Sequence, residues 1–510
     1  QQLVKLLFFS SKKNYSRKIK EQILAIVVER QFTKSQILEI YLNHICFGHG
    51  IYGVEAASQR FWGKSVKDLT LQEAATLACI VRSPGKYCPL SNIKFAQSRR
   101  NIVLNSMHKL TKSINDQEYQ EAINTKLEVK VADENINGHL REYITSFLES
   151  IIGKKQLYSG GYKVQTTINL DQQKSAQEVF NIRVKSLRSK LKLDLNGGLI
   201  SLDVNSGAIK ALIGGIDDGK SRFNRAINAR RQIGSIFKPI IYAKAIEMGL
   251  KFSDVFIDDP TTFEFDGKSW SPRNYNRAFE GPMTLAQALS RSNNIVTIKL
   301  LLSVGIDKVA NLASKFGLEK IDNKYPSLAL GCIDETLLQS AAMFNVFANS
   351  GVYVKPYIIS WVKDEWGKKV YQTKQYKHQA ISPFVNSQVA KVLTIGMTRF
   401  SKVLNEKWLK SEIIGKTGTT NDSRSCWFTG STPELTTAVY IGLDNNQPMG
   451  EDVFPVRTAF PIWLDFNSKI EKEKKVFKYD SSLSEVFIDP YTGEILSPEA
   501  KNAIAILVEN

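Results

Sequence analysis

Three short motifs stand in fixed order along this chain, and their side chains are those that serine acyl transfer needs. Ser235 and Lys238 form the first motif, Ser292 and Asn294 the second, and Lys416 opens the third. A serine hydroxyl is a weak nucleophile that needs an adjacent base. A lysine amine can be that base when burial and a second cation favour its neutral form. The set therefore offers a nucleophile, a base, a proton relay and a cationic anchor for a carboxylate.

The first motif is expected at the beginning of a helix. Gly234 precedes Ser235, and Pro239, which a helix tolerates only in its first turn, follows within an apolar pattern of helical spacing. Lys238 then lies one turn along the same face. The helix N-terminus adds backbone N–H groups and a positive dipole end, which stabilise a developing oxyanion. Taken alone, the pattern is more often an ordinary exposed serine and lysine.

The second and third motifs are expected to contact the substrate. Ser292 and Asn294 can both reach it only from a loop or turn, where Ser292 would pass a proton to the leaving amine and Asn294 would hold the substrate amide. The third motif follows a strand-like Ile413-Ile414 and combines a cation, two hydroxyls and a glycine, which suit the terminal carboxylate of a peptide lying close to the strand. Its substrate-binding residues are Thr417, Gly418 and Thr419. A helix cap and an edge-strand turn are the alternatives for the two motifs taken separately.

Hydrophobic periodicity predicts two domains around these motifs. Apolar residues recur at helical spacing through residues 1–110, and a polar, helical linker is expected over 111–160. From residue 161 the pattern turns to strands, with a hairpin signal at Asn205-Ser206-Gly207 and further strands at 425–430 and 436–443. Strands at both ends with helices between them predict an antiparallel sheet covered by helices over 161–465, followed by a C-terminal extension, 466–510.

Composition limits the partners of the chain. The 510 residues are 43% hydrophobic and carry a net charge of +18, which favours anionic partners such as nucleic acid, a membrane surface or a phosphorylated substrate. No nucleic-acid-binding motif is present, so we expect no nucleic-acid partner. The five cysteines are scattered and indicate neither a disulfide framework nor a zinc site. No apolar run is long enough to span a membrane.

Residues 161–465 resemble the transpeptidase domain of penicillin-binding proteins. Beyond the three motifs, the resemblance is carried by Gly161–Leu170, Phe223–Ala226, Trp270–Tyr275, Leu328–Gly331 and Phe347–Gly351. It implies an α+β fold and acylation of Ser235 by a stem peptide ending in D-Ala-D-Ala, with transfer to a neighbouring amine. It also implies an oxyanion hole of the Ser235 and Thr419 N–H groups, acylation by β-lactams, and no cofactor. The family usually has Asp-Ala before Trp427-Phe428, where this chain has Ser425-Cys426.

The first hundred residues resemble the peptidoglycan glycosyltransferase domain of class A penicillin-binding proteins, an α-helical, lysozyme-like fold. The resemblance is carried by Gln1–Lys5, Arg17–Glu21, Lys34–Asn43, Tyr52–Ala57, Phe61–Lys64 and Glu73–Ala75. It implies that Arg17 and Lys18 clamp a pyrophosphate and that Glu21 supports the acid/base step. By themselves these residues fit a surface ion-pair helix better. Lipid II and nascent peptidoglycan are the implied substrates, and we expect a divalent cation to assist.

The resemblance is incomplete at the N-terminus. The family's principal catalytic glutamate lies in a motif upstream of Gln1, and Glu21 matches only the second, supporting glutamate. Because inverting glycosyl transfer needs a carboxylate base, we expect that the chain as given does not polymerise lipid II, although the full-length protein does. Glycan polymer made by this chain would contradict that expectation. An N-terminal anchor absent from this chain is expected to hold the protein at the cytoplasmic membrane, facing the periplasm or the cell exterior.

The basic N-terminal segment is expected to meet the membrane surface. Leu6-Leu7-Phe8-Phe9 beside Lys12-Lys13 fits a shallow insertion into the interface. Other cell-wall synthesis proteins are further expected partners. The sequence does not identify the acceptor amine or the lifetime of the acyl-enzyme.

The motifs alone leave two other classes of function open: another serine enzyme, or a protein without catalytic activity. A serine β-lactamase needs a deacylating glutamate, and Glu319 and Asn323 have a fitting spacing with the wrong residues between them. A D,D-carboxypeptidase would not need the first domain. A non-catalytic β-lactam sensor should follow transmembrane helices, and the intact Ser235, Lys238 and Lys416 argue against a degenerate scaffold.

Overall fold

A computed structural model describes residues 1–9, 15–129, 138–157, 161–216, 223–322, 325–364, 366–404, 408–419, 423–450 and 453–510. Lys12, Lys13 and Asn323, which the sequence analysis names, lie outside these ranges. The chain divides into two compact units. Unit 1 comprises residues 1–135, 145–165 and 361–372, and unit 2 comprises residues 136–144, 166–360 and 373–510.

Unit 1 is built from helices, as the periodicity of residues 1–110 predicts. Its helices up to residue 124 are α1 (Gln2–Phe8), α2 (Tyr15–Gln31), α3 (Lys34–His44), α4 (Val54–Trp62), α5 (Leu71–Ile80), α6 (Pro84–Tyr87), α7 (Ile93–Lys109) and α8 (Asp116–Asn124). Capping boxes begin three of them, because Thr33, Thr70 and Asn115 each exchange hydrogen bonds with a Gln or Glu three residues on. The fully buried Phe61 and Ile80 lie in its main core cluster.

Two helices and a small sheet follow in the chain. The helices are α9 (Gly138–Ile152) and α10 (Lys154–Leu157). The sheet has the order β1 (Lys163–Thr166), β11 (Ile359–Lys363), β12 (Lys369–Gln372). Among the described residues of the whole chain, no helix combines the length and apolar character needed to cross a membrane.

Unit 2 is organised around a five-stranded antiparallel sheet. The strand order is β14 (Ile414–Thr419), β15 (Ser425–Ser431), β16 (Leu435–Gly442), β2 (Asn196–Asp203), β3 (Ile209–Ile213). The predicted hairpin at residues 205–207 joins β2 to β3, and the strands predicted at 425–430 and 436–443 are β15 and β16. The α+β architecture expected of this domain is therefore confirmed.

Helices cover both faces of this sheet. Those that pack on it are α11 (Leu170–Leu191), α12 (Arg225–Asn228), α17 (Leu337–Ala348), α18 (Pro383–Leu404) and α19 (Ala459–Ile470). The remaining helices of unit 2 pack on one another and on these: α13 (Lys238–Glu247), α14 (Leu285–Arg291), α15 (Asn294–Val304) and α16 (Ile306–Lys315). Cross-strand register places Phe428, Val439 and Leu199 on one face, where they pack in one core with Phe180 of α11 and Trp463 of α19. The opposite face carries Thr429, the register partner of Lys416. The sheet thus positions Lys416 on the face away from that core, with Thr417 and Thr419 in register with the core residues Phe428 and Cys426.

Short antiparallel pairs complete unit 2. They are β4 (Arg231–Gln232) with β9 (Asp334–Glu335), β5 (Val255–Asp258) with β8 (Gly281–Thr284), β6 (Phe263–Phe265) with β7 (Lys268–Trp270), and β10 (Val352–Val354) with β13 (Lys377–Gln379). Residues 466–510 belong to unit 2 and form a further sheet of β18 (Ile495–Leu496), β17 (Leu483–Ile488) and β19 (Ile504–Glu509). The domain boundaries expected at 110, 160 and 465 stay predictions.

Candidate active site

Ser235 lies in a single 3-10 turn, Gly234–Phe237, that leads directly into α13. Gly234 has a φ of 57°, and a Cβ there would lie 2.7 Å from the carbonyl oxygen of Thr419. A Cβ on Gly418 would lie 2.3 Å from the carbonyl oxygen of Ile233. Glycine at both positions therefore lets the segment that carries Ser235 press against β14. The Ser235 hydroxyl is half-buried and makes no hydrogen bond to any other described residue, so it is open to the cleft.

Lys238 is fully buried on the first turn of α13. Its Nζ donates to the carbonyl oxygens of Ser292 (2.7 Å) and Asn293 (3.0 Å) and to Oδ1 of Asn294 (2.7 Å). No carboxylate of the described residues lies within ion-pair distance of it. Burial, and then the charge of Lys416, hold the pKa of Lys238 well below its ordinary value. The environment therefore favours a neutral amine that can accept a proton.

The second motif occupies the turn between α14 and α15, as its spacing predicts. Ser292 ends α14 in the left-handed region, with a φ of 56°. Asn293 caps α15 by accepting from the Val296 N–H at 2.9 Å, and Asn294 is the first residue of that helix. This sharp turn directs both the Ser292 hydroxyl and the Asn294 amide toward Lys238.

Lys416 lies in the middle of β14 and is almost completely buried. Its Nζ donates to Oγ of Ser292 at 2.8 Å and to the carbonyl oxygen of Thr417 at 3.3 Å. Burial lowers the pKa of Lys416 to about 7. Lys238 Nζ lies 3.4 Å from the same Ser292 Oγ. The serine hydroxyl therefore bridges the two buried lysines and provides a path for a proton between them.

Asn274 connects the turn of the second motif to a neighbouring loop, a role that the sequence did not predict. Its Nδ2 donates to both carboxylate oxygens of Asp258, at 2.8 and 2.9 Å, and its Oδ1 accepts from the Asn294 N–H at 2.9 Å. Nδ2 of Asn294 donates in turn to the carbonyl oxygen of Arg273 at 2.9 Å. The buried amide therefore fixes Asn294 against Lys238.

A cleft of about 1520 Å³ opens over these groups. It is lined by the motif residues Ser235, Ser292, Asn294, Lys416, Thr417 and Thr419, whereas Lys238 lies beneath the surface and Gly418 presses against Ile233. Four arginines also line it: Arg273, Arg277, Arg291 and Arg457. Arg273 and Arg277 share one loop, whereas Arg291 and Arg457 stand on other segments of the chain.

Cys426, half of the Ser425-Cys426 departure, lies directly beside the third motif. It is the register partner of Thr419, and its Sγ donates to the carbonyl oxygen of Val453 at 3.4 Å. Burial raises the pKa of the thiol to about 12. Cys426 therefore supports the active-site strand through packing and carries no charge at neutral pH.

In unit 1, the structure brings Arg17, Lys18 and Glu21 together on α2. Arg17 Nε lies 2.9 Å from Glu21 Oε1, and Lys18 Nζ lies 3.3 Å from Oε2. The Glu21 side chain is 2% exposed, whereas that of Lys18 is 55% exposed. Among the described residues, no group of three or more His, Cys, Asp or Glu side chains could hold a metal ion. The divalent cation expected to assist this domain stays a prediction.

The fold and the cleft define a serine acyl-transfer domain that follows a helical domain. Residues 1–108 match the family model described as transglycosylase, and residues 197–453 match the penicillin binding protein transpeptidase domain. Penicillin-binding protein 1A of Aquifex aeolicus is 33% identical over 91% of this chain and 75% of its own length. The corresponding protein of Rickettsia conorii is 27% identical over 97% of this chain and 78% of its own.

Solved structures agree with this assignment. Penicillin-binding protein 1A from Haemophilus influenzae superposes with a TM-score of 0.73 at 26% identity, covering 93% of this chain and 91% of its own. A Mycobacterium tuberculosis protein in complex with penicillin V shares the fold, with a TM-score of 0.57 at 22% identity, covering 67% of this chain and 95% of its own. The chain belongs to the class A penicillin-binding proteins, which are bifunctional peptidoglycan synthases. This membership does not favour a carboxypeptidase, a β-lactamase or a sensor.

Proposed function

We propose that Ser235 carries the acyl group while this protein cross-links stem peptides of peptidoglycan. The observation that carries the proposal is the pair of buried lysines joined by one hydroxyl, with Lys416 Nζ 2.8 Å and Lys238 Nζ 3.4 Å from Ser292 Oγ. A buried lysine without a carboxylate partner can be neutral and act as a base, while a second cation nearby binds an anion. The two lysines can therefore divide these roles.

In the proposed acylation, the neutral amine of Lys238 accepts the hydroxyl proton as Ser235 Oγ attacks the penultimate D-Ala carbonyl carbon. The backbone N–H groups of Ser235 and Thr419 receive the oxyanion. The peptide C–N bond then breaks, and the terminal D-Ala leaves after its amine takes a proton through Ser292. Attack of an acceptor amine on the ester carbonyl forms the new peptide bond and restores the Ser235 hydroxyl.

In the same proposal, the third motif and Asn294 hold the donor peptide. The Lys416 ammonium and the hydroxyls of Thr417 and Thr419 bind the terminal carboxylate, and Gly418 allows the strand to approach. Asn294 holds the peptide amide while its Oδ1 keeps Lys238 in place. Catalysis in this arrangement comes from charge and orientation, with no cofactor.

Covalent labelling with a fluorescent penicillin tests the assignment of the nucleophile. We expect stable labelling of the wild-type protein and none of Ser235→Ala. Ser290→Ala is the matched control, because Ser290 lines the same cleft but donates to the carbonyl oxygen of Gln287 at 2.9 Å. An unlabelled wild-type protein, or a labelled Ser235→Ala, would reject the acyl-enzyme. Rapid loss of the label would instead favour β-lactamase activity.

We infer that α2 in unit 1 meets the pyrophosphate of lipid II. Arg17 and Lys18 supply adjacent cations, and Glu21 orients them through contacts of 2.9 and 3.3 Å. The half-exposed Lys18 has donors left for an anionic oxygen. Binding of a fluorescent lipid II to the wild-type protein and to Lys18→Gln tests this role. Unchanged affinity would remove Lys18 from the site.

We infer that unit 1 also contacts a membrane surface, as the N-terminal segment predicts. Large apolar side chains of α1 and α2 are exposed: Leu6, Leu7, Phe8, Ile19, Ile23, Ile26 and Val27. Exposed apolar patches beside basic residues are typical of interfacial contact. Co-sedimentation with anionic vesicles should fall for Ile23→Glu and stay unchanged for the exposed Ile182→Glu in unit 2. Location at the cytoplasmic membrane and contact with other cell-wall synthesis proteins stay predictions.

A further inference from the structure

The described residues that line the catalytic cleft carry positive charge alone. Five of them are basic and none is acidic; the basic residues are Arg273, Arg277, Arg291, Lys416 and Arg457. A cleft lined by one sign of charge concentrates ligands of the opposite sign. One terminal carboxylate requires only one of these cations, so the rest exceed what the terminal D-Ala needs.

Two of the five basic side chains already have partners. The Arg291 guanidinium pairs with the carboxylate of Glu280, and Lys416 contacts Ser292 within the motif cluster. Arg273, Arg277 and Arg457 are exposed and make no ion pair with a described carboxylate. We call these three residues the arginine face.

The arginine face is held beside the catalytic residues by the contacts of Asn274. The Arg273 carbonyl oxygen accepts from Asn294 Nδ2 at 2.9 Å, which ties this residue to the amide that contacts Lys238. The Arg277 N–H donates to the Asn274 carbonyl oxygen at 3.0 Å. Asn274 Nδ2 donates to the Ala278 carbonyl oxygen at 2.9 Å. The loop that presents both arginines is therefore ordered by a buried amide.

An aromatic contact brings Arg457 to the same end of the cleft. Tyr275, between Arg273 and Arg277 in the chain, packs edge-on against Phe454, with ring centroids 5.6 Å apart. Phe454 precedes Arg457 by three residues, and both line the cleft. Two loops distant in sequence thus meet and line the same cleft with arginines.

We propose that the arginine face selects donor stem peptides that carry free carboxylates upstream of the terminal D-Ala-D-Ala, and discriminates against peptides whose carboxylates are amidated. Guanidinium groups bind carboxylates by paired, charge-assisted hydrogen bonds, which a primary amide cannot replace. The inference rests on the proposed acyl-enzyme at Ser235. It assigns to three arginines a specificity role that is separate from the chemistry.

Competition against acylation tests the proposal without requiring peptide turnover. The probes are two synthetic peptides ending in D-Ala-D-Ala that differ only in two upstream residues, Glu in one and Gln in the other. Each is used to slow labelling of the wild-type protein by a fluorescent penicillin. We expect the Glu peptide to compete about 10-fold more strongly at low salt, since exposed ion pairs contribute about 2- to 5-fold each. Equal competition by the two peptides would overturn the proposal.

Neutral variants assign the preference to residues. In the triple variant Arg273→Gln, Arg277→Gln, Arg457→Gln, we expect the two peptides to compete within about 2-fold of each other. Lys308→Gln, an exposed change on α16 outside the cleft lining, should keep the wild-type preference. A triple variant that still prefers the Glu peptide would overturn the role of these arginines.

The penicillin label separates failure of this inference from failure of the proposed function. Wild-type protein that is labelled at Ser235 but does not distinguish the peptides retains its function and lacks the specificity. Wild-type protein that is not labelled at all rejects the acyl-enzyme and, with it, this inference. Raised salt should reduce the preference in the wild-type protein, because screening weakens exposed charge contacts.

Discussion

Each unit buries an ionisable side chain among other charged groups, but the partners differ in kind. In unit 1 the buried Glu21 is met by two cations, Arg17 at 2.9 Å and Lys18 at 3.3 Å. In unit 2 the buried Lys238 is met by four neutral oxygen atoms and by the charge of a second lysine. Opposite charges stabilise the ionised forms, whereas burial without one favours the neutral form. The first arrangement suits binding and the second suits proton transfer.

Replacing the buried lysine by a permanent cation should have the largest effect. Arginine stays protonated inside proteins, so Lys238→Arg would lack the proposed base. We expect the rate constant for acylation by penicillin to fall about 10³-fold, which is within the usual contribution of a general base. Stopped-flow labelling gives the rate, and circular dichroism checks that the variant is folded. A folded variant that acylates within about 10-fold of wild type would reject Lys238 as the base.

A carboxylate beside Lys238 should give the buried lysine of unit 2 a partner of opposite charge, as the buried Glu21 of unit 1 has. In Asn294→Asp, a carboxylate would replace the Oδ1 that accepts from Nζ at 2.7 Å. An adjacent opposite charge raises the pKa of a lysine by about 1–3 units, so acylation at pH 7 should fall about 10- to 1000-fold, and the rate relative to wild type should recover as the pH rises. The pH–rate profile measures this shift.

Asn293→Asp is the matched control for that change. The Asn293 side chain caps α15, where aspartate serves equally well, and only its backbone oxygen contacts Lys238. We expect a shift of the profile smaller than that of Asn294→Asp. Equal shifts for the two variants would show that overall charge, and not the direct contact, sets the state of Lys238.

The cation of Lys416 should limit acylation on the alkaline side. Its pKa is lowered to about 7, so the ammonium proposed to anchor a carboxylate is lost as the pH rises through that value. We expect acylation efficiency to fall about 15-fold between pH 7 and pH 8.5, because the protonated fraction falls from about one half at the pKa to about 3%. Lys416→Arg, which stays charged, should flatten this limb even if its overall rate is lower. A decline of the same steepness in both proteins would assign it to another group.

The same lowered pKa affects stability in a defined direction. Between pH 7 and about 10.5, the unfolded chain binds one more proton at Lys416 than the folded chain does, so the free energy of unfolding rises with pH across this window. Lys416→Met should reduce that slope for unit 2, as measured by denaturant unfolding at a series of pH values. An unchanged slope would mean that the lysine is charged in the folded protein.

The smallest effect is expected in unit 1. Glu21→Gln removes the carboxylate from a pair in which the Arg17 side chain is 16% exposed, so we expect a loss of about 1–2 kcal/mol in local stability. Hydrogen exchange of the α2 amides measures it, and acylation of Ser235 should stay within about 2-fold of wild type. A comparable loss of acylation would contradict the separation of the two roles.

The sequence predicted the position of a site residue where that position depends on residues close to it in the chain. Ser235 to Lys238 and Ser292 to Asn294 are local patterns, so their place at a helix start and in a turn was predictable, as was the hairpin at residues 205–207. The bridging position of Ser292 between two lysines depends on a strand and two helices that are distant in the chain. Hydrophobic periodicity does not predict a contact between such distant segments.

The arginine face and Asn274 show the same limit. Arg273 and Arg457 are 184 residues apart by number and are brought to one cleft by loops whose contact, Tyr275 with Phe454, leaves no signal in spacing or composition. Asn274 lies in a segment that resembles the family. Its buried hydrogen bond to Asp258, however, could not be predicted from the sequence. The lowered pKa values likewise depend on burial that only the packed structure supplies.

The close approach of Gly234 and Gly418 to neighbouring backbone has a consequence for resistance to β-lactams. A Cβ on Gly234 would lie 2.7 Å from the carbonyl oxygen of Thr419, and one on Gly418 would lie 2.3 Å from that of Ile233. Substitution would therefore displace Ser235, the nucleophile we propose for both substrate and inhibitor. Variants selected under antibiotic pressure should therefore spare these glycines and change exposed residues at the rim of the cleft. The inhibitor's contacts can evolve there, while the nucleophile's backbone stays under steric constraint.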